Sequence, residues 1–357
     1  MVIDSLGMGG AEVSLKTLSS SLVDQGHNVV VLVIRGDVVI SMNANVHTSL
    51  LRYKKYKLLP SIYINAIKLR RRINKLEDEH GSFDLKIVNL TLSHKLAHHA
   101  RLGDAYYCLH EDVVASNLSK RTGIKKYARK LRLKKFFNGK KIITVSDGVR
   151  DSLASIEGIC CESIQTIYNP IDLESIKRLS VESNPYAGMD YIVHVGRFSS
   201  EKRHDVLLDA YHESGLGCML LLVGDGPDKA VILNKITELH LEDKVVVTGF
   251  INNPYPIIRD ANLLILSSDY EGFGVVLAEA LCLETAVVST NSMSGPSEIM
   301  LSPLSNYLVP TGDVHALSGK MQLALADVEK HKYQFKSKDL ERFSPEVIAA
   351  EYVKLIQ

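Results

Sequence analysis

Residues 261–282, ANLLILSSDYEGFGVVLAEALC, are the most informative stretch of this chain. The stretch opens with an apolar run to Ser267, typical of a buried strand, and closes with a helical pattern that ends near Cys282. A Gly-Phe-Gly turn separates the two. Because strand, tight turn and helix form the repeating unit of parallel α/β sheets, this stretch predicts that class of fold.

Two carboxylates bracket that turn, with Glu271 in the loop and Glu279 one to two turns into the helix. Glycines in the turn let the backbone come close to a bound group. The amides of Phe273, Gly274 and Val275 are expected to face an anion at the positive end of the helix dipole. The turn therefore favours a polar ligand such as a sugar hydroxyl, a phosphate or a ribose.

The same alternation of strand-like and helical patterns runs along the chain and predicts two Rossmann-like domains. The predicted strands are Val29–Ile34, Lys86–Leu90, Ala105–Leu109 and Lys141–Val145 after a stub at residues 2–4, then Tyr191–Val195, Met219–Val223, Lys244–Thr248, Leu263–Ser267 and Ala286–Ser289. Pro, Gly and Asn in 184–188 indicate a linker. We expect a first domain over 1–183, a second over 189–340 and a C-terminal helical segment over 341–357.

Size and charge fit this division into two domains. The chain has 357 residues, of which 46% are apolar and 23% charged, as in ordinary globular proteins. Its net charge of +1 hides an asymmetry, because residues 1–175 carry 26 basic and 17 acidic side chains (+9), leaving 16 and 24 (−8) for the rest. A basic half and an acidic half indicate two domains with different partners.

Cysteine usage and hydropathy bear on location. The chain has five cysteines without C-x-x-C spacing, which predicts a reducing, cytoplasmic location without disulfides or a zinc site. The longest apolar run near the start, Val29–Ile34, is too short to span a bilayer. We therefore expect a protein that stays inside the cell and does not cross the membrane.

Two features of the first half suggest ligand contacts. Gly7-Met-Gly9-Gly10-Ala-Glu12 joins a strand stub to a helix and can cradle a phosphate, although tight packing explains such glycines about as often. His110 ends a strand, at the sheet edge where α/β folds bind ligands. Taken by itself, this histidine fits an ordinary polar loop residue better.

Basic residues are concentrated in two stretches of the first half. Residues 120–141 hold 11 Lys and Arg and no acid, with Tyr127, Leu131, Phe136 and Phe137 interleaved, and a second basic stretch covers 68–75. One such run is usually a solvated helix face. Two runs in one domain favour an anionic membrane surface or an anionic acceptor. No nucleic-acid motif is present, so nucleic acid is not expected as a partner.

The second half adds two cations beside a helix start. Arg197 and Lys202 follow a strand, where they oppose the helix dipole unless an anion such as phosphate binds there. The turn at 224–227 carries glycines that packing alone can explain. The backbone of residues 248–251 lies at the end of a strand, where it can form hydrogen bonds with the edge of a nucleotide base. Asp269 and Glu271 offer too few acids for a metal site, so no metal is expected.

These motifs together resemble the retaining glycosyltransferases of family four. The resemblance spans nearly the whole chain and rests on residues 9–12, 145–148, 168–170, 196–197 with 202, 224–226 and the E-x7-E pair. It implies the GT-B fold, an α/β architecture in which two Rossmann-like domains face each other across a cleft and a C-terminal helix crosses back to the N-terminal domain. Residues 253–256 and 294–298 look most similar to bacterial transferases of lipopolysaccharide core, O-antigen or capsule synthesis. The clipped first strand is a departure expected to weaken that edge of the sheet.

The resemblance also implies roles for single residues. It implies that the catalytic residues are His110, Arg197, Lys202 and Glu271. It also implies that the sugar donor is bound by Gly9, Gly10, Arg197, Lys202, Phe250, Ile251, Glu271, Phe273, Gly274, Val275 and Glu279. In this scheme the cations hold the donor diphosphate, Glu271 the sugar and Glu279 the ribose. The donor is a nucleotide sugar, UDP-sugar being the best single expectation, and no cofactor is implied.

The expected activity is retaining, metal-independent transfer of a hexose or N-acetylhexosamine to a saccharide or lipid-linked acceptor in bacterial surface polysaccharide synthesis. A peripheral position on the inner face of the cell membrane is expected from the basic residues 120–141. Two alternatives stay open. One is a nucleotide-sugar epimerase of the same fold, and the other is a catalytically silent binding protein on the membrane surface.

Overall fold

A computed structural model describes residues 1–7, 9–36, 40–56, 60–119, 121–326 and 337–356 of the chain. The chain divides into two compact units. The first unit comprises Met1–Pro170 and Pro345–Gln357, and the second comprises Ile171–Ser344.

The first unit is built on a sheet of seven strands, all paired in parallel, in the order β3-β2-β1-β4-β5-β6-β7. Its strands are β1 (Val2–Ile3), β2 (Val30–Val33), β3 (His47–Leu50), β4 (Lys86–Asn89), β5 (Ala105–Leu109), β6 (Lys141–Thr144) and β7 (Ser163–Thr166). Its α-helices are α1 (Gly10–Asp24), α2 (Ser61–His80), α3 (Thr91–Ala100), α4 (Val113–Leu118), α5 (Gly123–Phe137) and α6 (Asp147–Ala154), together with a last helix over Pro345–Val353.

Helices cover the sheet of the first unit in two layers. Helices α2, α3 and α5 each connect a strand to one that lies nearer to β7 in the sheet, whereas α1 connects β1 to β2 in the opposite direction. Because such connections are right-handed, α2, α3 and α5 lie on one face of the sheet and α1 on the other. The last helix packs against α1. The clipped strand β1 pairs with β2 and β4 and so lies in the middle of the sheet. The expectation that it forms an edge was wrong, because the chain steps outward from β1 on both sides.

The second unit has six parallel strands in the order β10-β9-β8-β11-β12-β13. Its strands are β8 (Tyr191–Val195), β9 (Met219–Val223), β10 (Val245–Gly249), β11 (Leu263–Leu266), β12 (Ala286–Thr290) and β13 (Leu308–Val309). Its α-helices are α7 (Leu173–Ser180), α8 (His204–Ser214), α9 (Lys229–Glu238), α10 (Tyr255–Asp260), α11 (Val275–Cys282), α12 (Pro296–Ile299) and α13 (Val314–Ala326); the last helix of the first unit is α14.

Each strand predicted from an apolar run is confirmed within one or two residues. The reason is that central strands of a parallel sheet are covered on both faces, so β2, β11 and β12 are buried throughout. Strands β3, β7 and β13 were missed. Strands β3 (HTSL) and β7 (SIQT) lie at the two edges of the first sheet. Strand β3 is mostly exposed and β7 is half-buried, and neither contains an apolar run.

The boundary between the units falls at Pro170, and the segment 184–188, where a linker was expected, lies inside the second unit. Helix α7 packs on α10 and α11, which places it in that unit. The Asn184 amide donates to Tyr191 Oη at 2.9 Å and to Asp260 at 2.8 Å, which ties the segment down. Among the described residues, no helix combines the length and apolar character that crossing a bilayer requires.

Candidate functional site

The two loops that carry the predicted cations and acids meet in the second unit. One loop follows β8 and the other follows β11, and these strands are neighbours in the sheet. The chain winds outward from β8 toward β10 on one side and from β11 toward β13 on the other. In open α/β sheets, ligands bind outside the carboxyl ends of the strands at such a switch point. The candidate site therefore lies where this fold class binds ligands.

Lys202 and Glu271 form the central contact of the site. Lys202 Nζ lies 2.6 Å from Glu271 Oε1, and the side chains are only 19% and 10% exposed. Ser268 Oγ donates to the same carboxylate oxygen at 2.6 Å. The structure thus joins two residues that are 69 positions apart in the chain. A ligand at this point would therefore meet a cation and a hydrogen-bond acceptor side by side.

Further contacts lock the two loops together. Ser267 Oγ donates to the carbonyl of Lys202 at 2.7 Å, and the Asp269 amide donates to the carbonyl of Glu201 at 2.9 Å. Arg203, in the left-handed conformation with φ 49°, forms an ion pair with Asp269 at 2.9 Å. Asp269 was considered above only as a possible metal ligand. Its position shows a different task, which is to hold the loop of Glu271 against the loop of Lys202.

The Gly-Phe-Gly turn has the tight geometry that its glycines predict. Gly274 has φ 87° and precedes α11. The Phe273 ring is buried against Phe343, with ring centroids 5.0 Å apart, so its side chain does not face a ligand. Ser294 Oγ donates to the carbonyl of Glu271 at 2.5 Å. These contacts fix the backbone of residues 271–274 in front of the N-terminus of α11, whose first residue is Val275.

Glu279 lies in α11 and pairs with a tyrosine that sequence reasoning did not single out. Tyr255 Oη donates to Glu279 Oε1 at 3.1 Å. Burial raises the pKa of Glu279 to about 7, an effect that the hydrogen bond from Tyr255 partly offsets. Burial and the nearby carboxylate raise the pKa of Tyr255 in turn. Glu279 therefore titrates near neutral pH.

Arg197 and the turn after β9 form the rim of the site. The side chain of Arg197 is exposed, and its guanidinium pairs with no carboxylate among the residues that the structure describes. Gly224 approaches the loop so closely that a Cβ there would lie 1.9 Å from the Gly196 carbonyl oxygen. Packing alone accounts for this glycine. Phe250 is exposed and Ile251 half-buried, directly after β10.

Two buried histidines lie beneath the cationic loop. His194 Nδ1 contacts the carbonyl of Ile265 at 2.9 Å, while its Nε2 and that of His204 have no hydrogen-bond partner among the described residues. The two rings meet edge to face at 4.7 Å. Burial lowers the pKa of His194 to about 4 and that of His204 to about 2, so both are neutral at pH 7. Their place in apolar patterns gave no signal in the sequence.

The remaining predicted residues belong to the first unit. Gly9 precedes α1 with an ordinary extended backbone, and a Cβ on it would lie 2.5 Å from Glu12 Oε2, the flexible end of a side chain that can move away. Gly10 begins the helix and is exposed. His110 Nε2 contacts Asn89 Oδ1 at 2.8 Å. Burial lowers the pKa of His110 to about 4, so the ring is neutral at physiological pH.

Metal-ligating side chains do not converge in the described part of the chain. No group of three or more His, Cys, Asp or Glu is arranged there to hold an ion. The carboxylates of Glu271, Asp269 and Glu279 contact Lys202, Arg203 and Tyr255. Each acid of the site therefore has a hydrogen-bond donor of its own chain.

Two parallel α/β units, one with a cationic and Gly-rich site at its switch point, define the GT-B class of two-domain proteins. Two family models match consecutive halves of the chain: Glycosyltransferase Family 4 over residues 8–175 and Glycosyl transferases group 1 over residues 175–338. The chain belongs to this glycosyltransferase family.

Curated relatives cover part of the sequence. An N-acetylgalactosamine-N,N'-diacetylbacillosaminyl-diphospho-undecaprenol 4-alpha-N-acetylgalactosaminyltransferase of Campylobacter jejuni is 32% identical over 197 residues, or 55% of this chain and 53% of the relative. A lipopolysaccharide 1,6-galactosyltransferase of Salmonella typhimurium is 24% identical over 205 residues, or 56% of each chain. The chain thus spans about half the length of these relatives.

Solved structures match the whole fold. Sucrose-phosphate synthase from Thermosynechococcus elongatus superposes with a TM-score of 0.79 at 21% identity, over 99% of this chain and 97% of the other. Anabaena HepE in complex with UDP and glucose superposes with a TM-score of 0.74 at 18% identity, over 99% and 98%. At this level of identity the likeness concerns the fold, and it confirms the expected GT-B architecture.

Proposed function

We propose that this chain is a retaining, metal-independent glycosyltransferase that uses a nucleotide sugar, with UDP-sugar as the first candidate. The sugar is a hexose or N-acetylhexosamine, and the acceptor is a saccharide or lipid-linked saccharide of bacterial surface polysaccharide synthesis. The observation that carries the proposal is the Lys202–Glu271 pair at the switch point, in front of the N-terminus of α11. The names of the relatives, with galactosyl and N-acetylgalactosaminyl transfer to lipid-linked saccharides, support the substrate class.

The proposed roles follow from charge and position. Arg197 and Lys202 stabilise the departing diphosphate together with the backbone of the turn, Phe273 to Val275. Glu271 accepts hydrogen bonds from the sugar hydroxyls, and Glu279 accepts them from the ribose. Phe250 and Ile251 lie at the carboxyl end of β10, which suits contact with the base. Contacts of Gly9, Gly10 and His110 with the donor stay predictions.

The bond changes are those of a front-face displacement. The bond between the anomeric carbon and the diphosphate oxygen breaks, and the acceptor hydroxyl forms a new bond on the same face. The acceptor proton passes to the departing phosphate oxygen. This route needs no enzymic nucleophile, which agrees with the engagement of Glu271, Asp269 and Glu279 by donors of their own chain.

The test is a panel of nucleoside diphosphates in thermal shift, followed by transfer assays with nucleotide sugars. We expect one diphosphate to raise the melting temperature, because a ligand that binds only the folded state stabilises it. NMR of the anomeric proton should show a retained configuration, and an inverted product would refute the mechanism. Conversion of the donor sugar without acceptor would instead favour an epimerase. A melting temperature unchanged by every nucleotide would favour a silent binding protein.

Donor binding should weaken as the pH falls below about 7, because the raised pKa of Glu279 lets this carboxylate take up a proton there. A protonated carboxyl loses the charge that strengthens hydrogen bonds to ribose. Each charged hydrogen bond contributes about 1.5–3 kcal/mol, so the protonated form should bind the donor poorly. Because the ionised fraction of Glu279 falls about tenfold between pH 8 and pH 6, the KM for the donor should rise by up to about tenfold over that range.

Two variants check this assignment to Glu279. Glu279→Gln should give a high KM that no longer varies with pH in this range. Tyr255→Phe should move the midpoint to higher pH, because its hydrogen bond now lowers the pKa of Glu279. A pH profile of Glu279→Gln identical to that of the unmodified chain would contradict the role of this residue.

We also propose that the basic first unit rests on the inner face of the cell membrane during transfer. The concentration of 11 Lys and Arg in residues 120–141 supports this, because anionic lipids attract such segments.

A further inference from the structure

The carboxyl edge of the first sheet carries a group of exposed basic residues. Arg35 follows β2, and Arg52, Lys54 and Lys55 follow β3. These four residues are termed the edge cations. In parallel α/β sheets, ligands bind outside the carboxyl ends of the strands. The donor contacts proposed for the first unit do not involve the edge cations, although they lie on the ligand-binding edge.

Hydrogen bonds hold the two loops that carry the edge cations side by side. Strands β2 and β3 pair in parallel. The pairing continues past their ends, since the Tyr53 amide donates to the carbonyl of Ile34 at 2.8 Å. Backbones paired in this way lie about 5 Å apart. Arg35 and Arg52 therefore extend from neighbouring segments, close enough for both side chains to reach one bound group.

The loop after β3 has a fixed backbone. Asn65 of α2 is fully buried, and its side chain accepts from the Lys54 amide at 3.1 Å and donates to the Lys54 carbonyl at 2.8 Å. The Ser61 hydroxyl accepts from the Tyr56 amide at 2.8 Å. Arg52 has a left-handed backbone, with φ 56°, a conformation that is uncommon outside glycine and that clusters at ligand-binding sites. The loop is thus held in one shape while its cations stay exposed.

The edge cations have no carboxylate partner among the residues that the structure describes. Residues 51–60 contain no acid. Asp4, at the end of β1, is engaged elsewhere, because its carboxylate accepts from the amides of Leu92 and Ser93 at 3.0 and 2.6 Å. Asp37 lies outside the described residues. Like charges grouped in this way repel one another, and a bound anion would relieve that repulsion.

The composition of the group indicates which anion fits. A solvated loop is the ordinary explanation for a single exposed lysine or arginine, but it explains neither the fixed backbone nor the grouping of four cations at one edge. The planar guanidinium of arginine binds phosphate oxygens in bidentate pairs. A phosphate also carries more negative charge than a carboxylate, which suits two arginines and two lysines.

We propose that the edge cations bind a phosphate or diphosphate group of the acceptor. This inference rests on the proposed transferase function and gives the acceptor a chemical class, a saccharide that carries phosphate. Strand β2 separates β3 from β1, so the phosphate would lie about 10 Å along the edge from the Gly-rich turn after β1. Binding there leaves the switch point between β1 and β4 to the reacting sugar.

Inorganic pyrophosphate is a probe that needs no transfer reaction. Arg197→Ala and Lys202→Ala remove the cations of the donor site from every protein compared, so that calorimetric titration of the full chain reports the first unit. We expect one site, weakened by raised salt because screening acts on exposed charges. Adding Arg52→Gln and Lys54→Gln should lower the affinity at least about tenfold, because charged hydrogen bonds to phosphate are lost.

The matched control is Lys95→Gln with Arg101→Gln in the same background. Both residues are exposed, Arg101 has φ 51°, and the change in charge is the same. They belong to α3 and its C-terminus, and Arg101 precedes β5 at the opposite edge of the sheet. The control should bind pyrophosphate like its parent, and melting temperatures should show that both variants fold. Undetectable binding by the parent, or equal losses in the two variants, would overturn the inference.

Transfer assays separate this inference from the proposed function. Two acceptors that share one saccharide are compared, one an alkyl diphosphate and the other a neutral alkyl glycoside. With the donor site intact, we expect kcat/KM to favour the diphosphate at least about tenfold, and Arg52→Gln with Lys54→Gln to abolish that preference. Equal use of both acceptors would contradict the role of the edge cations even though transfer occurs.

Two further outcomes decide the remaining alternatives. Pyrophosphate binding that depends on Arg52 and Lys54, without transfer from any nucleotide sugar, would keep the anion site and refute the proposed function. Binding of glucuronate as tight as that of pyrophosphate would refute the assignment to phosphate, because a carboxylate would then suffice.

Discussion

Replacing Lys202 by alanine is expected to lower turnover about 10²–10³-fold, as the loss of one preorganised donor to a developing anion does in other enzymes. The ammonium of Lys202 is the best-placed cation of the site, 2.6 Å from Glu271 and largely shielded from water. In such a place a charge interacts more strongly with departing diphosphate than it would in bulk water. Arg197→Ala should fall in the same range.

The control for Lys202→Ala is Lys235→Ala. Lys235 is 23% exposed and pairs with Asp209 at 2.9 Å, so it matches Lys202 in burial and partner type but lies outside the site. We expect near-normal turnover for the control. Steady-state rates at saturating donor and melting temperatures of both variants provide the comparison. Near-full transfer by Lys202→Ala would remove this lysine from the catalytic group.

Lys202 and Glu271 should also act as a coupled pair. Alanine at 202 leaves the carboxylate of Glu271 without its cation, so part of the loss in turnover comes from the remaining partner. The double variant Lys202→Ala with Glu271→Gln should therefore lose less than the sum of the two single losses in activation free energy. Strict additivity would mean that the two side chains act independently, in conflict with their 2.6 Å contact.

Gly295→Ala is expected to lower the free energy of unfolding by about 2–6 kcal/mol, from about 1–3 kcal/mol of backbone strain and about 1–3 kcal/mol of overpacking. Gly295 has φ 89°, and a Cβ there would lie 2.1 Å from the carbonyl oxygen of Phe273. The adjacent Ser294 holds the carbonyl of Glu271. The substitution should therefore displace the turn and lower turnover as well.

Gly319→Ala is the opposite case and serves as the control. Gly319 lies inside α13, is exposed, and has no atom within 4 Å of the position of an added Cβ. Alanine there should stabilise the helix by about 0.5–1 kcal/mol. Denaturant unfolding of both variants measures the difference. A Gly295→Ala protein as stable as the unmodified chain would mean that the turn can move without cost.

Much of the fold was readable because its central strands are buried on both faces. Runs such as Leu263–Ser267 carry that signal in consecutive residues. The edge strand β7 carries none, since its sequence SIQT is only partly covered. The unit boundary was misplaced for a related reason. Pro and Gly at 184–188 mark a turn, but turn chemistry does not reveal that α7, before it, packs on α10 and α11.

The residues of the site could be predicted from the sequence where they form a short pattern along the chain. The Gly-Phe-Gly turn, the flanking acids and the two cations could be selected as candidates because each is a short pattern of residue types. Arg203, Tyr255 and the buried His194 could not be selected, because their importance lies in contacts with residues distant in the sequence. Phe273 was selected from a local pattern, but its ring is buried, which the pattern did not predict.

Periodicity and turn chemistry over a few residues are enough to predict the class of fold, the succession of strands and helices, and the loops that carry charge. The placement of β8 beside β11, which brings Lys202 to Glu271, is visible only in the folded chain. So is the placement of the loop after β2 beside the loop after β3, which groups Arg35 with Arg52. Strand order and helix packing depend on crossovers between distant segments, and no local pattern of residues encodes them.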